Sequence, residues 1–312
     1  MFLCTYCLDH KADSQRSEEH VIPAALGGTW TVMDICKSCQ EWANVEIDQP
    51  FNQSLWVLEQ RRRHRVPDRY GKVPDAPRVE ASVADGRKAF VTLNPGGWDL
   101  EILPSSRPGE DNGALQISVS VDDEAAYIAT KLKRFERDNP GFTWKTAKRE
   151  LAPHVPLDVR FPFSIPMTLW PRLAVKVALT VGRELYGEDW LRSNHGLLLH
   201  RLLWDQERTV RMNPLPTKKT IWPVSGWKPP PDHVLMTVDT YGTPMLLITL
   251  FGEDTYGVPL GETPPPGGAA WVLHTHERTW ERLSADNFIR RIVAATARPP
   301  FDAMAADDGN DS

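Results

Sequence analysis

The chain has 312 residues, with 36 Lys and Arg against 41 Asp and Glu, a formal net charge of −5, and 41% hydrophobic residues. This acidic balance excludes a chain that is basic throughout, so nucleic-acid contact would need a local basic patch or bound cations. No apolar run reaches the roughly 20 residues that cross a bilayer and no secretory signal opens the chain, so we expect a cytoplasmic protein without a membrane partner.

All four cysteines lie near the N-terminus in two close pairs, Cys4 with Cys7 and Cys36 with Cys39. Each Cys-x-x-Cys spacing lets two thiolates reach one ion at about 2.3 Å. The alternative is two disulfides in a secreted protein, which the missing signal disfavours. The pattern therefore predicts a structural Zn²⁺ held by four thiolates, a site with no open position for chemistry.

The segment between the cysteine pairs reads Ser17-Glu18-Glu19-His20-Val21-Ile22-Pro23 and then reaches Gly27-Gly28. Its β-branched residues predict a short strand that carries His20 and stops at Pro23, and the two glycines predict a turn. Residues 40–48 predict a helix in which Gln40 and Asn44 share one face. The expected fold is a hairpin and a helix stapled by zinc.

Over about residues 4–51 this order of motifs resembles the HNH endonucleases with a Cys-x-x-Cys, Glu-His-Val-Ile-Pro, Leu-Gly-Gly, Cys-x-x-Cys layout. The resemblance implies a ββα-metal, treble-clef-like module with a structural zinc, and a Mg²⁺ or Mn²⁺ ion for phosphodiester hydrolysis in DNA. It implies that His20 is the general base that activates water and that Asp34 orients it. Glu19 and Gln40, with Asn44 as a substitute for Gln40, would hold the catalytic ion.

Two residues depart from the pattern of that family, which has asparagine near position 34 and histidine or asparagine at position 40. An aspartate at Asp34 would raise the basicity of His20 but add negative charge near the phosphate. Gln40 offers a neutral oxygen on a longer stem. The alternative function is therefore a non-catalytic, zinc-dependent nucleic-acid-binding or scaffolding protein in which His20 packs beside the zinc site.

Residues 50–66 predict a partly amphipathic helix whose end is strongly basic. Its cations are Arg61, Arg62, Arg63 and Arg65. Next to a nuclease module these side chains could bind backbone phosphates. The alternative is a solvated helix end, where cations also suit the helix dipole.

We expect a nuclease module at 1–66, a linker at 67–77, a larger mixed α+β domain at 78–297 and a disordered acidic tail at 298–312. The predicted strands are 78–83, 89–93, 115–121, 234–238, 245–251 and 270–274, and the predicted helices are 125–137, 169–186, 190–204 and 285–296. The apolar residues of 169–186 are too dense for a surface helix, so this helix should be central to a core.

The larger domain shows no catalytic motif. It could position the nuclease, form a homodimer or sense a small-molecule or protein activator, an arrangement that would fit a restriction or anti-phage defence effector. The 12 tryptophans of the chain could stack on bases or line a carbohydrate groove, but packing is the favoured interpretation. His274-Thr275-His276 places two imidazoles on one side of a strand; without a third ligand in view, a surface strand is favoured over a metal pair.

Overall fold

The structure is a computed structural model. It describes residues 1–68, 70–84, 86–94, 97–108, 115–118, 124–138, 140–141, 159–160, 169–205, 207, 216–217, 232–240, 242–261 and 267–296.

The N-terminal segment begins with two small antiparallel strand pairs. Strands β1 (Phe2–Leu3) and β2 (His10–Lys11) flank the first cysteine pair. Strands β3 (Arg16–His20) and β4 (Thr31–Cys36) form the expected hairpin, with a shift of register between Ser17 and Glu19.

Helices follow this hairpin without a long connection. Helix α1 (Lys37–Ala43) continues through a π-helical turn (Asn44–Asp48) into α2 (Gln49–Asn52). Helix α3 (Leu55–Arg63) begins after Ser54, whose side chain accepts the backbone N–H of Val57 and caps the helix. The predicted fold class, an N-terminal cysteine-bound hairpin-and-helix module followed by a larger α+β region, is confirmed.

The middle segment is an antiparallel sheet with one helix. Its elements are β5 (Arg78–Val83), β6 (Lys88–Asn94), β7 (Gly97–Ile102), β8 (Ser105–Pro108), β9 (Leu115–Ser118), α4 (Glu124–Asp138) and β10 (Val159–Arg160). The sheet order is β10-β5-β6-β7, while β8 and β9 form a separate pair. Ala81, Val83, Ala89 and Val91 are its buried apolar core.

The C-terminal segment combines two helices, a six-stranded sheet and a last helix. Its elements are α5 (Leu169–Tyr186), α6 (Asn194–Trp204), β11 (Pro216–Thr217), β12 (His233–Thr240), β13 (Thr243–Leu250), β14 (Asp254–Pro259), β15 (Ala270–His274), β16 (Thr279–Leu283) and α7 (Ala285–Thr296). The sheet is antiparallel in the order β11-β14-β13-β12-β15-β16. Every residue of α5 from Leu169 to Gly182 is buried, so the prediction of a central helix is confirmed.

The chain divides into two compact units that differ from the predicted boundaries. One unit joins Met1–Pro74 to Ile165–Ser312, and the other is Asp75–Ser164. The reason is a shared hydrophobic core, in which Ile22 of the N-terminal segment belongs to the same buried cluster as Leu173 of α5. We expected an N-terminal module followed by a separate domain at 78–297. In the structure, the N-terminal segment instead forms one unit with the C-terminal segment, and the middle unit lies between them in the sequence. The predicted tail at 298–312 lies outside the described residues.

Aromatic packing contributes much of this shared core. Trp30 stacks on Trp271 with ring centroids 5.2 Å apart, and Trp170 stacks on Tyr256 at 4.1 Å. These contacts support the packing interpretation of the tryptophans. In the part of the chain that the structure describes, no helix is both long and apolar enough to cross a membrane.

Candidate active site

The four cysteines converge on one point. Cys4 and Cys7 lie in the turn after β1, Cys36 ends β4, and Cys39 lies in the first turn of α1. Their sulfur atoms all lie within 4.8 Å of one another, and the backbone N–H of Cys36 donates to Cys4 Sγ at 3.3 Å. Four convergent sulfurs are the donor set of a structural zinc site, so the cluster fits zinc binding.

The ionisation of these thiols supports the same assignment. A hydrogen bond from the Cys39 thiol, aided by backbone N–H groups and opposed by burial, lowers the pKa of Cys4 to about 4. Burial, together with the negative charge on Cys4, raises the pKa of Cys7 to about 12. The hydrogen bond to Cys4, with burial, raises the pKa of Cys39. Without a cation, the cluster favours the thiolate form at Cys4 alone, whereas a bound divalent ion would ionise the other thiols as well.

His20 is the last residue of β3 and is half-buried. Its partner across the hairpin is Thr31, and the adjacent Glu19 pairs with Val32. Burial lowers the pKa of His20, and the positive charge of Lys176 adds to this, against the opposing charge of Glu18. A neutral imidazole can accept a proton, which is what a general base requires.

Glu19 lies in a buried charge cluster, with only 2% of its surface exposed. Lys176, a fully buried residue of α5, places its Nζ 2.6 Å from Glu19 Oε1. The same ammonium donates to both oxygens of Asp48, at 2.8 and 2.7 Å. One ammonium therefore serves two buried carboxylates.

The charges of this cluster are strongly coupled. Burial lowers the pKa of Lys176, but the charges of Asp48 and Glu19 outweigh it, so the net shift is upward and the ammonium stays charged. Burial, followed by the repulsion from Asp48 and against the attraction of Lys176, raises the pKa of Glu19. The two shifts therefore differ in what they say of the ion pair: attraction by the carboxylates prevails at Lys176, whereas burial prevails at Glu19, the more deeply buried of the two carboxylates that share this cation.

Asp34 does not take the place expected for it. Its carboxylate pairs with Arg183 Nε of α5 at 2.7 Å and accepts the hydroxyl of Thr5 at 2.9 Å. The residue opposite His20 across the hairpin is Thr31. Asp34 therefore ties β4 to α5, and Thr31 is the residue beside His20 that the sequence did not identify.

The two candidate amide ligands lie on the helix after the second cysteine pair. Gln40 is in α1, which packs against β3 and β4, and Asn44 begins the π-helical turn; both are half-buried. Asp48 ends the same turn and is buried against Lys176. Asp48 follows Gln40 and Asn44 at the same four-residue spacing, and this spacing could have identified Asp48 from the sequence. No local pattern could have identified Lys176, the partner of Asp48.

The basic run at the end of α3 is largely bound within the protein. Arg61 is buried and donates to the carbonyl of Lys72, and Arg62 donates through two nitrogens to Glu59. Arg63 pairs with Glu253 at 2.8 Å, while Arg65 is exposed. Of the four arginines predicted to bind phosphate, three are thus engaged with protein groups, and Arg65 is exposed.

Residues 4–56 match the family model described as HNH endonuclease. The match covers the cysteine cluster, His20 and the helix with Gln40 and Asn44, and confirms the family resemblance of this stretch. Comparisons with curated proteins and with solved structures give no match.

Proposed function

Because the N-terminal stretch matches the HNH endonucleases, we propose that this protein is a metal-dependent endonuclease that hydrolyses phosphodiester bonds in DNA. The observation that carries the proposal is the position of His20, which ends β3 inside the matched region, with part of its imidazole accessible. A role as a restriction or anti-phage defence effector in the cytoplasm belongs to the same proposal.

In this proposal His20 accepts a proton from the attacking water. Proton transfer to a positioned imidazole contributes typically 10²–10⁴-fold to a rate, provided that the base is neutral when substrate binds. The lowered pKa of His20 favours that neutral form. Thr31 is the cross-strand partner of His20, whereas Asp34 pairs with Arg183.

The oxygen donors predicted for the ion site suit a hard divalent cation. Gln40 and Asn44 would provide amide oxygens from the helix, and Glu19 would contribute through Oε2, because Lys176 lies against Oε1. When bound, a Mg²⁺ or Mn²⁺ ion supplies the positive charge that stabilises the developing charge on the phosphate.

A specific observation keeps the alternative in view. Lys176 already neutralises Glu19, the only carboxylate of the proposed ion site, and the other two donors are neutral amides. Such a site would bind a cation weakly, and a module with no ion would bind nucleic acid without cutting it. The second candidate function is therefore a non-catalytic nucleic-acid-binding or scaffolding protein.

A plasmid-nicking assay separates the two functions. The parent, His20→Ala and His10→Ala would be compared with Mg²⁺ and with Mn²⁺, on DNA and on RNA; His10 is an exposed residue of β2 and serves as the matched control. We expect His20→Ala to lose at least about a hundredfold in rate, while His10→Ala keeps the parent rate.

Equal rates for the parent and His20→Ala would refute the general base. DNA binding in a gel-shift assay without nicking in either metal would favour the alternative function. Preferential cleavage of RNA would overturn the assignment of DNA as the substrate.

A further inference from the structure

The turn between β15 and β16 carries a second cluster of metal-ligating side chains, away from the cysteines. His274 ends β15, Glu277 lies in the turn, and Asp232 directly precedes β12, the neighbouring strand. One ligand atom from each of these three residues lies within 4.8 Å of the other two. Asp232 is buried and Glu277 is exposed, so the cluster has a closed side and an open side.

The imidazole of His274 is held in one orientation by two carboxylates. Its Nδ1 lies 3.0 Å from Asp232 Oδ2 and its Nε2 lies 3.3 Å from Glu281 Oε1. Glu281 is itself bound through both oxygens by Arg291 of α7. A carboxylate fixed in this way can accept an Nε2–H, and such an outer hydrogen bond is how proteins orient a metal-ligating histidine.

The orientation has a consequence for the other ring nitrogen. With the hydrogen on Nδ1, this nitrogen donates to Asp232 Oδ2 at 3.0 Å; with the hydrogen on Nε2, the lone pair of Nδ1 faces the same oxygen and is free to bind a metal ion together with it. Asp232 keeps its place in both cases, because its Oδ1 accepts the backbone N–H of Thr275 at 3.2 Å.

The surrounding charge suits a divalent cation. Asp232, Glu277 and Glu281 supply three carboxylates, and Arg291 offsets one of them. A divalent ion would compensate the two remaining charges. A nitrogen donor with two carboxylates suits a borderline transition metal better than Mg²⁺ or Ca²⁺, which prefer oxygen alone.

We propose that Asp232, His274 and Glu277 bind a divalent transition metal ion of the Zn²⁺ type through Oδ2, Nδ1 and a carboxylate oxygen, with at least one position left to water. Metal–ligand distances of about 2.0–2.2 Å require the Glu277 carboxylate to approach while Nδ1 and Oδ2 separate slightly, and the exposed Glu277 side chain supplies most of that movement. The sequence had paired His274 with His276, but His276 is exposed on the turn and is not a member of the cluster.

Occupation of this site would hold the turn against the nuclease module. Thr275, between the two ligands of the turn, lies so close to Gly27 that a Cβ on Gly27 would be 3.1 Å from Thr275 Cβ. Gly27 belongs to the connection between β3, which carries His20, and β4. The ion would therefore stabilise the support of the hairpin, and the inference does not depend on the activity proposed for His20.

The site is tested by counting metal in the full-length protein. The parent, His274→Gln, Glu277→Ala and His276→Gln would be stripped with a chelator, reloaded with excess Zn²⁺, desalted and analysed for zinc per chain. We expect the parent and the matched control His276→Gln to hold one more equivalent than the other two variants. Co²⁺ in that extra site should add weak visible bands without the thiolate charge-transfer absorption of the cysteine cluster.

The same zinc content in all four proteins would overturn the proposal and leave His274 as a histidine that is hydrogen-bonded to two carboxylates. A loss in His276→Gln equal to that in His274→Gln would also overturn it, because the effect would then belong to the turn in general. Circular dichroism checks that each variant is folded. If His274→Gln does not fold, Glu277→Ala decides alone, since an exposed side chain can be truncated without opening the core.

Discussion

Acid should destabilise this protein through one buried imidazole, His233. The side chain is fully buried at the start of β12. Its Nε2 lies 2.8 Å from the carbonyl oxygen of Leu26, and its Nδ1 accepts the backbone N–H of Phe251 at 3.1 Å. These partners select the neutral tautomer with hydrogen on Nε2, because a second proton on Nδ1 would break the bond from Phe251.

The size of the effect follows from the shift in pKa. Burial, opposed by the bond to Leu26 and aided by the charge of His64, lowers the pKa of His233 from 6.5 to about 4. Because the unfolded chain binds this proton more readily, the stabilisation is fully present above pH 6.5 and is lost as the pH falls toward 4. A difference of about 2.5 units corresponds to about 3 kcal/mol in the free energy of unfolding, as an order of magnitude.

Urea unfolding between pH 7.5 and pH 4.5 measures this loss. The parent would be compared with His233→Gln, which cannot titrate, and with His10→Gln, in which an exposed imidazole is removed. We expect the free energy of unfolding to fall with acid by about 2–3 kcal/mol more in the parent than in His233→Gln. The cysteine cluster and the other histidines titrate in both proteins, so their contributions cancel in the difference. An equal pH dependence of the parent and His233→Gln would refute the reasoning.

Two further substitutions test the core that joins the N-terminal segment to α5. Lys176→Met leaves the buried carboxylates of Glu19 and Asp48 without their cation and should lower the free energy of unfolding by about 3–5 kcal/mol. Adding Asp48→Asn removes one of these carboxylates and should restore part of the lost stability. If urea unfolding shows no recovery in the double variant, the result would count against the charge cluster. Cys36→Ala should reduce the amount of bound zinc, measured by elemental analysis. Because Met1–Pro74 and Ile165–Ser312 share a hydrophobic core, they should unfold in a single thermal transition, and the substitution should lower its midpoint. A calorimetric transition confined to the N-terminal segment would contradict this expectation.

Local patterns in the sequence were enough to predict the zinc cluster and most of the larger elements. The two Cys-x-x-Cys spacings determine which thiols can share an ion. The apolar residues of Leu169–Tyr186 are so dense that this helix had to be buried in a core. Both signals depend on neighbours within a few residues. Strands β7, β14 and β16 were not predicted, because their partners rather than their composition define them.

The parts that sequence could not supply depend on distant contacts or on register. Lys176 meets Asp48 across 128 positions of the chain, so no spacing rule could pair them. A one-residue shift between Ser17 and Glu19 changes which residue faces His20, from Val32 in an unshifted register to Thr31. The run of arginines could not show that Arg61 is buried, since only the fold brings the carbonyl of Lys72 to it.

The middle unit has an evolutionary consequence. Asp75–Ser164 is a continuous insertion into a unit whose two parts, Met1–Pro74 and Ile165–Ser312, complete each other. A continuous insertion with its own core can diverge, be exchanged or be lost as a cassette, whereas the flanking parts must change together. Selection can therefore alter the middle unit while the residues around His20 and Lys176 stay constant.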